Sequence, residues 1–435
     1  MQDSTASPPV PPCRKVAILF AGGPAPAANA VISTAAASFL KHGIPVVGIL
    51  HGYSRLVNYK PEEGLVEGRH YIMLDQQRLK RTRNTQGILI GTARTNPGSE
   101  IWHPAHLRDP ERTAKLRTIY EALRSLEVDA LISIGGDDTL TTANKFQRFQ
   151  HYLPEGSPRI RVVHVPKTID NDYEGIDFTF GYFTAADTLA TEIRNLLADA
   201  EASSMYFLAE TMGRRAGWLA YGAAIAGEAS LVLGPEDVYG QYADFEPAID
   251  PITQQPYERR IMNVDAVVRR IVATMRAREE REGKHFGVIV MAEGLADFLP
   301  AAYLQGIPRD EHGHIAFSQV NLGRKFAAWV AEEYKRQTQR QRKVVGLQLG
   351  YETRCARPHA FDVMLGSQLG VGAYRVLVEA KEDGVMISVR GQLELHWVPF
   401  DQLIDQETLR ARVRYIDLKS DFHKLARFLE TDVDG

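Results

Sequence analysis

The sequence has few cysteines, no excess of either charge and no long apolar run. Two cysteines, Cys13 and Cys355, are too few for a disulfide framework and lack metal-site spacing, which favours a reducing cytoplasm. A formal net charge of -3 over 435 residues argues against a nucleic-acid partner, so any anion site must be local. No stretch is apolar enough to cross a bilayer, and the polar, proline-rich start lacks the apolar run of a signal peptide.

What the sequence does contain is an alternation of short apolar runs with longer segments of helical period. This pattern predicts an α/β protein in which helices join parallel strands, and the chain length predicts two lobes. The predicted strands are Val16–Phe20, Val46–Leu50, Ala130–Ile134, Val162–Val165, Tyr206–Ala209, Ser230–Leu233, Val288–Met291 and Val344–Leu347. One predicted helix begins near Ala27, and five others cover Arg112–Leu126, Thr184–Ala200, Asp265–Glu282, Leu322–Arg340 and His359–Ala380.

A glycine pair, Gly22 and Gly23, follows the first predicted strand and precedes its helix. Such turns bind anions because unpaired amides and the helix dipole favour negative charge, and Gly23 lets the backbone approach a phosphate. The turn is neither a dinucleotide fingerprint nor a Walker loop, since no third glycine and no Gly-Lys-Ser/Thr follows at the required spacing. Taken alone, it fits a tight strand-to-helix connection equally well.

Two adjacent carboxylates, Asp137 and Asp138, follow the strand that ends at Ile134, after a second glycine pair. One acid at a helix start is an ordinary cap or dipole partner. The second acid favours a site built for a cation and its anionic ligand.

The strand ending near Val165 is followed by the sequence PKTIDND, residues 166–172. Beside bound magnesium and phosphate, a carboxylate takes the proton of an attacking hydroxyl, and a lysine stabilises the moving phosphoryl group. The alternative is a structural turn, because Asn and Asp favour turns anyway. Charged segments at successive strand ends favour the functional interpretation.

Three later segments also follow strands: MGR at 212–214, EG at 293–294 and YETR at 351–354. The segment GTAR at 91–94 adds a further arginine. The planar fork of arginine suits a phosphate, whereas Glu293 suits sugar hydroxyls. Singly, each segment fits a surface ion pair or a cap; only their common position at strand ends favours a site.

Together these segments resemble the phosphofructokinase superfamily, from about Lys15 to about Leu377. NAD and lipid kinases share a Gly-Gly-Asp turn but lack TIDND and MGR in this order. The resemblance implies two Rossmann-like lobes with mostly parallel sheets flanked by helices. It also implies phosphoryl transfer to the C1 hydroxyl of fructose 6-phosphate, with Mg2+ and a homo-oligomer, either a dimer or a tetramer.

The resemblance also implies residue roles. Gly22 and Gly23 contact the phosphoryl donor, Asp137 holds magnesium, Asp170 accepts the hydroxyl proton, and Arg94 bridges the donor and acceptor phosphates. Sugar-phosphate contacts are implied for Thr168, Ile169, Asp170, Asp172, Met212, Gly213, Arg214, Glu293, Tyr351, Glu352, Thr353 and Arg354. In this set Glu293 binds a hydroxyl, the YETR segment receives the 6-phosphate, and Asp172 supports the base.

Two residues bear on the choice of phosphoryl donor and are counted with the catalytic set. ATP-dependent members carry glycine at the positions of Asp138 and Lys167, so this sequence resembles the pyrophosphate-dependent branch. A carboxylate near the α-phosphate position of a nucleotide repels it by about 4 kcal/mol at roughly 4 Å and an effective dielectric near 20. Lys167 supplies a cation for a donor that has no adenosine contacts.

The sequence departs from the family pattern in two places. Ala27 and Ala28 stand where the family often has glycine followed by an apolar residue, and we still expect donor binding. Met205 stands about where some relatives use an arginine on the 6-phosphate of a neighbouring subunit. The intersubunit part of the site is therefore not predicted by the resemblance.

Three alternatives remain. An ATP-dependent phosphofructokinase is disfavoured by Asp138 and Lys167. A noncatalytic regulatory subunit is disfavoured because Asp137, Asp170 and Asp172 are all intact. Sedoheptulose 7-phosphate is a further candidate acceptor, since the same groups would bind both sugars.

The expected domains are a disordered tail over 1–14, a donor-binding lobe over 15–180 and a sugar-phosphate-binding lobe over 181–380. The second lobe can re-enter the first, and 381–435 form an extension with no assigned role. Gly234 to Arg259, rich in prolines and polar residues, is interpreted as a surface insertion.

Overall fold

The computed structural model describes residues 13–249, 255–308 and 316–433. The predicted tail therefore lies outside the described residues, except for its last two. The chain divides into two compact units, each assembled from several stretches of sequence. The first unit contains residues up to Thr168, 173–181 and 357–412, and the second contains 169–172, 182–356 and 413–435.

All eight predicted strands and all six predicted helices are confirmed to within a few residues. The strands are β1 (Val16–Phe20), β2 (Val46–Ile49), β3 (Tyr71–Leu74), β4 (Ala130–Gly135), β5 (Arg161–Pro166), β6 (Tyr206–Thr211), β7 (Leu231–Leu233), β8 (Ala243–Ile249), β9 (Pro256–Met262), β10 (Gly287–Ala292), β11 (Val344–Leu349), β12 (Val385–Arg390) and β13 (Glu394–Pro399). The α-helices are α1 (Ala28–Leu40), α2 (Ala114–Ser125), α3 (Asp137–Phe149), α4 (Tyr182–Ser203), α5 (Trp218–Gly227), α6 (Val264–Arg281), α7 (Phe317–Val320), α8 (Leu322–Thr338), α9 (Ala360–Tyr374), α10 (Phe400–Leu403) and α11 (Asp421–Leu429). The last predicted helix ends in a π-helical turn, Arg375–Ala380, after α9.

The first unit is built on a seven-stranded sheet with the order β13-β12-β5-β4-β1-β2-β3. Its five inner strands are parallel, and the edge strands β3 and β13 pair antiparallel. Strands β1, β4 and β5 are buried along their whole length, as expected for inner parallel strands. Because these three strands are neighbours and run in the same direction, the segments that follow them all leave the sheet at its carboxyl-terminal end.

Helices α1 and α9 pack closely beside this sheet, and a glycine makes the close approach possible. A Cβ on Gly370 would lie 2.2 Å from Thr34 Oγ1 and 2.5 Å from the carbonyl oxygen of Val31.

The domain boundaries differ from those expected from the sequence. Residues 357–412 belong to the first unit, whereas the sequence interpretation ended the second lobe at 380 and made 381–435 an extension. The difference arises because 385–399 supply two strands of the first sheet.

The second unit is built on a parallel sheet with the order β11-β6-β10-β7. Its core is formed by apolar side chains from β6 and β10 together with helices α6 and α8. Strands β8 and β9 form a separate antiparallel pair that overlaps the predicted surface insertion and continues past its end at Arg259 to Met262. Among the helices of the described residues, none has the length and apolarity needed to span a membrane.

Candidate active site

The first glycine turn is fixed to the segment that carries Arg94. Gly22 has φ +89°, a left-handed value that glycine adopts without the steric cost of a Cβ. Its amide donates to the carbonyl of Ala93 over 2.9 Å, and Thr92 Oγ1 donates to the carbonyl of Gly22 over 2.7 Å. Arg94, which is exposed, follows directly, so the structure brings the turn and this arginine together.

The second glycine turn ends β4 and begins α3. A Cβ on Gly135 would lie within 2.6 Å of three side-chain atoms of Thr139, so this position accepts only glycine. The Gly136 carbonyl accepts the first helical bonds, from the amides of Thr139 and Leu140, each over 2.9 Å. Asp137 and Asp138 thus lie in the first turn of α3, where the helix dipole favours negative charge.

Lys167 links the two glycine turns. Its amide donates to the Gly135 carbonyl over 2.9 Å, extending the pairing of β4 with β5. Its Nζ lies 3.5 Å from the position that a Cβ on Gly22 would occupy, and 5.9 Å from the ring centre of Phe20. A largely buried ammonium group therefore stands against the first turn, where the sequence predicted a phosphate.

Two buried residues that sequence reasoning missed support the second turn. Tyr173 donates from its hydroxyl to the Gly135 carbonyl over 2.9 Å, and His164 Nε2 lies 3.0 Å from the same hydroxyl. Burial lowers the pKa of His164 to about 3, so the imidazole is neutral and suited to hydrogen bonding. His164 falls within a strand-like apolar run, and no sequence signal distinguished it from a core position.

The two carboxylates after β4 fit a magnesium ion of the kind that proteins bind together with a phosphate-containing ligand. Asp137 and Asp138 offer the oxygen ligands that Mg2+ prefers. Within the described ranges, no group of three or more His, Cys, Asp or Glu side chains forms a closed metal cage. One or two carboxylates with phosphate oxygens and water completing the shell is the usual arrangement for this ion.

In the second unit, the segments after β6 and β10 are joined through their backbones. The Gly294 amide donates to the Gly213 carbonyl over 3.0 Å, and the Gly213 amide donates to Glu293 Oε1 over 3.4 Å. A Cβ on Gly294 would lie 2.4 Å from the Arg214 carbonyl oxygen. The glycine after Glu293 is therefore required for the two predicted sugar-binding segments to meet.

Glu293 has the most informative electrostatics of this group. Burial, with Glu210 nearby, raises the pKa of its carboxyl to about 7, against the opposing effects of Arg214 and Arg354. Glu210, on β6, is itself buried and accepts hydrogen bonds from the Gly323 amide and from Gln348 Nε2, each over 3.0 Å. A carboxyl that titrates near neutrality beside two arginines is typical of a ligand site.

In the segment after β11, two side chains form hydrogen bonds within the turn and two others contact each other. Tyr351 is 69% exposed, and the guanidinium of Arg354 lies 4.6 Å from its ring centre. Glu352 Oε1 accepts from the Gly350 amide over 2.7 Å, and Thr353 Oγ1 donates to the Gly350 carbonyl over 2.6 Å. Glu352 and Thr353 therefore shape the turn, while the exposed ring of Tyr351 lies against the half-buried Arg354.

Met212 packs where it holds this turn in place, since a Cβ on Gly350 would lie 2.4 Å from Met212 Cγ. Met212 itself is 9% exposed. Met212 therefore packs against the turn that precedes Tyr351, and little of its side chain is accessible.

The segment 168–172 changes unit along its length. Thr168 belongs to the first unit, where its carbonyl accepts from Thr179 Oγ1 over 2.7 Å. Ile169 is buried, and Asp170 and Asp172 are half-buried in the second unit. The carbonyls of residues 171 and 172 accept hydrogen bonds from Arg414, a residue that sequence reasoning left without a role.

These features define an α/β protein with glycine turns at the strand ends of one sheet and a cluster of arginine and carboxylate side chains in the second unit. A sequence model of the family described as Phosphofructokinase matches residues 15–377. The chain belongs to the phosphofructokinase family, and its sheets and helices have the phosphofructokinase fold.

Relatives of both donor types are similar to this chain. The pyrophosphate–fructose 6-phosphate 1-phosphotransferase of Thermotoga maritima is 30% identical over 95% of this chain and 89% of its own length. An ATP-dependent 6-phosphofructokinase of Mycobacterium leprae is 32% identical over 94% of this chain and 99% of its own. The solved phosphofructokinase from Saccharomyces cerevisiae matches 96% of this chain with a TM-score of 0.65 and 21% identity, and this chain spans about half (50%) of its length. Overall identity thus does not discriminate between the two phosphoryl donors.

Proposed function

We propose that the protein transfers a phosphoryl group from pyrophosphate to the C1 hydroxyl of fructose 6-phosphate. The observation that carries the proposal is the position of Lys167, whose Nζ stands 3.5 Å from a Cβ position on Gly22 in the first glycine turn. A cation there offsets the charge of a compact donor that forms no base or ribose contacts. Lys167 and Asp138 are also the residues in which the sequence resembles the pyrophosphate-dependent branch.

Asp138 supports the same choice of donor by exclusion. It is exposed in the first turn of α3, next to the residue expected to hold magnesium. Repulsion of about 4 kcal/mol between unit charges at roughly 4 Å corresponds to about three decades of affinity. An α-phosphate at this position would meet that repulsion, whereas pyrophosphate carries no third phosphate.

The proposed chemistry is a direct in-line transfer. Asp170 takes the proton of the attacking hydroxyl, and Asp172 supports it. Lys167 and Arg94 stabilise the transferring group, whose charge is spread over its outer oxygens. No covalent intermediate on the protein is required.

Magnesium fits beside these residues, with Asp137 as its proposed protein ligand. If bound there, the ion would offset the negative charge of the phosphate groups. Gly22 and Gly23 let the backbone approach the donor, because neither has a side chain to obstruct it.

For the sugar phosphate, we assign Glu293 to a hydroxyl and Tyr351 with Arg354 to the 6-phosphate. Arg214 and the Gly213 backbone are further contacts, and residues 168 and 169 line the sugar. Glu352 and Thr353 contribute by shaping the turn, in keeping with their bonds to Gly350. Sedoheptulose 7-phosphate offers the same groups and remains an alternative acceptor.

An ATP-dependent reaction is the second candidate function, because relatives named for ATP dependence reach 32% identity. We further propose that the protein acts in the cytoplasm as a homo-oligomer and binds neither nucleic acid nor membranes. The proposed reaction is reversible, because pyrophosphate and the product's phosphate ester are close in energy. The intact Asp137, Asp170 and Asp172 argue against a noncatalytic regulatory subunit.

The test is the formation of fructose 1,6-bisphosphate by the purified protein with magnesium and fructose 6-phosphate. Pyrophosphate and ATP are compared at equal concentration. We expect product with pyrophosphate and little with ATP. If product forms with ATP alone, the ATP-dependent alternative replaces the proposal. If no product forms with either donor, the result points to another sugar phosphate or to a regulatory subunit.

A further inference from the structure

The backbone that carries the proposed base adopts a conformation that needs external support. Asn171, between Asp170 and Asp172, has φ +54°, in the left-handed region. Asparagine tolerates this region better than most residues, but such a conformation still costs of the order of 1 kcal/mol and persists only where the surroundings hold it.

Arg414 supplies that support from 243 positions along the chain. Its amide donates to the Asp172 carbonyl over 2.9 Å, and its Nη2 donates to the Asn171 carbonyl over 2.8 Å. One residue thus holds two successive carbonyls directly after Asp170. Because peptide units are rigid, fixing both restricts the backbone from which the Asp170 side chain projects.

Arg414 is in turn fixed to the start of α5. Its guanidinium lies 4.8 Å from the ring centre of Trp218, and its carbonyl accepts from Trp218 Nε1 over 2.9 Å. Two residues further on, the Ile416 amide donates to Glu236 Oε1 over 3.0 Å. Glu236 also accepts from the Gly217 amide, at 3.1 Å to each carboxylate oxygen, so the segment is attached to the turn that begins α5.

We propose that Arg414 is a positioning residue for phosphoryl transfer, holding the 170–172 loop so that the Asp170 carboxylate meets the reacting hydroxyl. The inference rests on the proposed function for the role of Asp170. It gives the C-terminal segment, which had no assigned role, an indirect part in catalysis, through the loop that carries Asp170. A lysine cannot replace Arg414 fully, because its ammonium lacks the planar group that stacks on Trp218 while donating to the loop.

The first arm of the test needs no activity. Hydrogen–deuterium exchange of the peptide spanning 169–173 is compared in wild type, Arg414→Met and the matched control Arg412→Met, which alters an exposed arginine two residues earlier. We expect faster exchange of that peptide in Arg414→Met alone. Unchanged exchange would overturn the proposal, whatever phosphoryl donor the protein uses.

The second arm measures turnover with the donor that wild type uses, well below the unfolding midpoint of each variant. We expect Arg414→Met to lower kcat by about 10²-fold, the scale of a small misplacement of a reacting group, with the KM for the donor unchanged. Arg414→Lys should recover part of the loss, and added guanidinium should partly rescue Arg414→Ala.

A kcat within twofold of wild type in Arg414→Met would overturn the positioning role, even if the variant were less stable. These results are separable from the proposed function. Wild type that uses ATP and not pyrophosphate defeats the proposed donor yet still allows both arms to be run. Wild type inactive with both donors leaves the exchange arm to decide whether Arg414 holds the loop.

Discussion

The proposed donor-binding and sugar-binding residues are organised in different ways. In the first unit, backbone hydrogen bonds of 2.9 Å join the first glycine turn to Ala93, next to Arg94, and the second glycine turn to Lys167. Asp138 and Arg94 are exposed. In the second unit, Glu293 is half-buried, and this burial raises the pKa of its carboxyl to about 7. There the loop 170–172, which carries the proposed base, is held by Arg414, far away in sequence.

The contrast separates two sources of function. The proposed donor-binding residues follow from local rules, because the end of a parallel strand, a glycine and a helix start together favour the binding of an anion. The proposed sugar-binding residues depend on tertiary contacts that set the charge of one carboxyl and the conformation of one loop. Substitutions in the first unit should therefore change the choice of phosphoryl donor. Substitutions in the second unit should change proton transfer or the pH dependence of the rate.

The largest expected effect is at Asp170. Asp170→Ala should lower kcat by about 10³-fold, within the range that general-base catalysis supplies. The midpoint of thermal unfolding should change little, because Asp170 is only half-buried. Steady-state rates with saturating substrates test this, with Asp187→Ala as control, since Asp187 is an exposed acid on α4 of the same unit. Near-normal turnover in Asp170→Ala would end its assignment as the base.

A smaller, pH-dependent effect is expected at Glu293. Its pKa in the folded protein is raised to about 7, mainly by burial, so the carboxyl is neutral below that pH and ionised above it. If the carboxylate accepts a hydrogen bond from a sugar hydroxyl, kcat/KM for the sugar phosphate should rise severalfold between pH 6 and pH 8. Glu293→Gln, which cannot titrate, should lose this rise.

The sugar phosphate itself titrates near pH 6, so the two proteins are compared at each pH and only their ratio is interpreted. A ratio that does not change with pH would contradict the role of Glu293. The stability linkage has a defined sign as well. The unfolded carboxyl ionises near its ordinary pKa of 4.5, so this group's contribution to stability falls as the pH rises from there to about 7.

The smallest expected effect concerns the departure from the family pattern at Ala27. This residue precedes α1 with φ +64°, a left-handed value that glycine adopts without the steric cost of a Cβ. Ala27→Gly should raise the free energy of unfolding by about 1 kcal/mol, because the strain of a left-handed alanine is removed. Urea unfolding checks this, and kcat/KM for the phosphoryl donor should stay within twofold.

Ala28→Gly is the matched control, one residue into the helix. Glycine there should destabilise the protein by roughly 0.5–1 kcal/mol, the ordinary cost in a helix. If both changes shifted stability in the same direction, the strain assigned to Ala27 would be wrong.

Much of the fold was predictable because inner parallel strands are continuous apolar runs. Strands β8 and β9 were missed because they form an exposed hairpin with no apolar periodicity. Strand β12 was missed because it follows Ala380 in a stretch of irregular pattern, although it is buried in the first sheet.

The site divides in the same way. Gly22, Asp137 and Lys167 were predictable from their positions after strands. Tyr173 and Arg414 were not, because each donates a hydrogen bond to a backbone carbonyl distant in sequence. His164 was not either, because its contact is the side-chain hydroxyl of Tyr173. Nothing in the local sequence identifies such a partner.

The central claim is that Asp138 and Lys167 select pyrophosphate as the phosphoryl donor. It is tested most directly by the ratio of kcat/KM for pyrophosphate to that for ATP, in wild type and in the double variant Asp138→Gly with Lys167→Gly. We predict a ratio well above one in wild type and a fall of about two to three decades in the double variant, the scale of the charge interactions removed. A double variant that keeps the full pyrophosphate preference of the wild type would contradict the account.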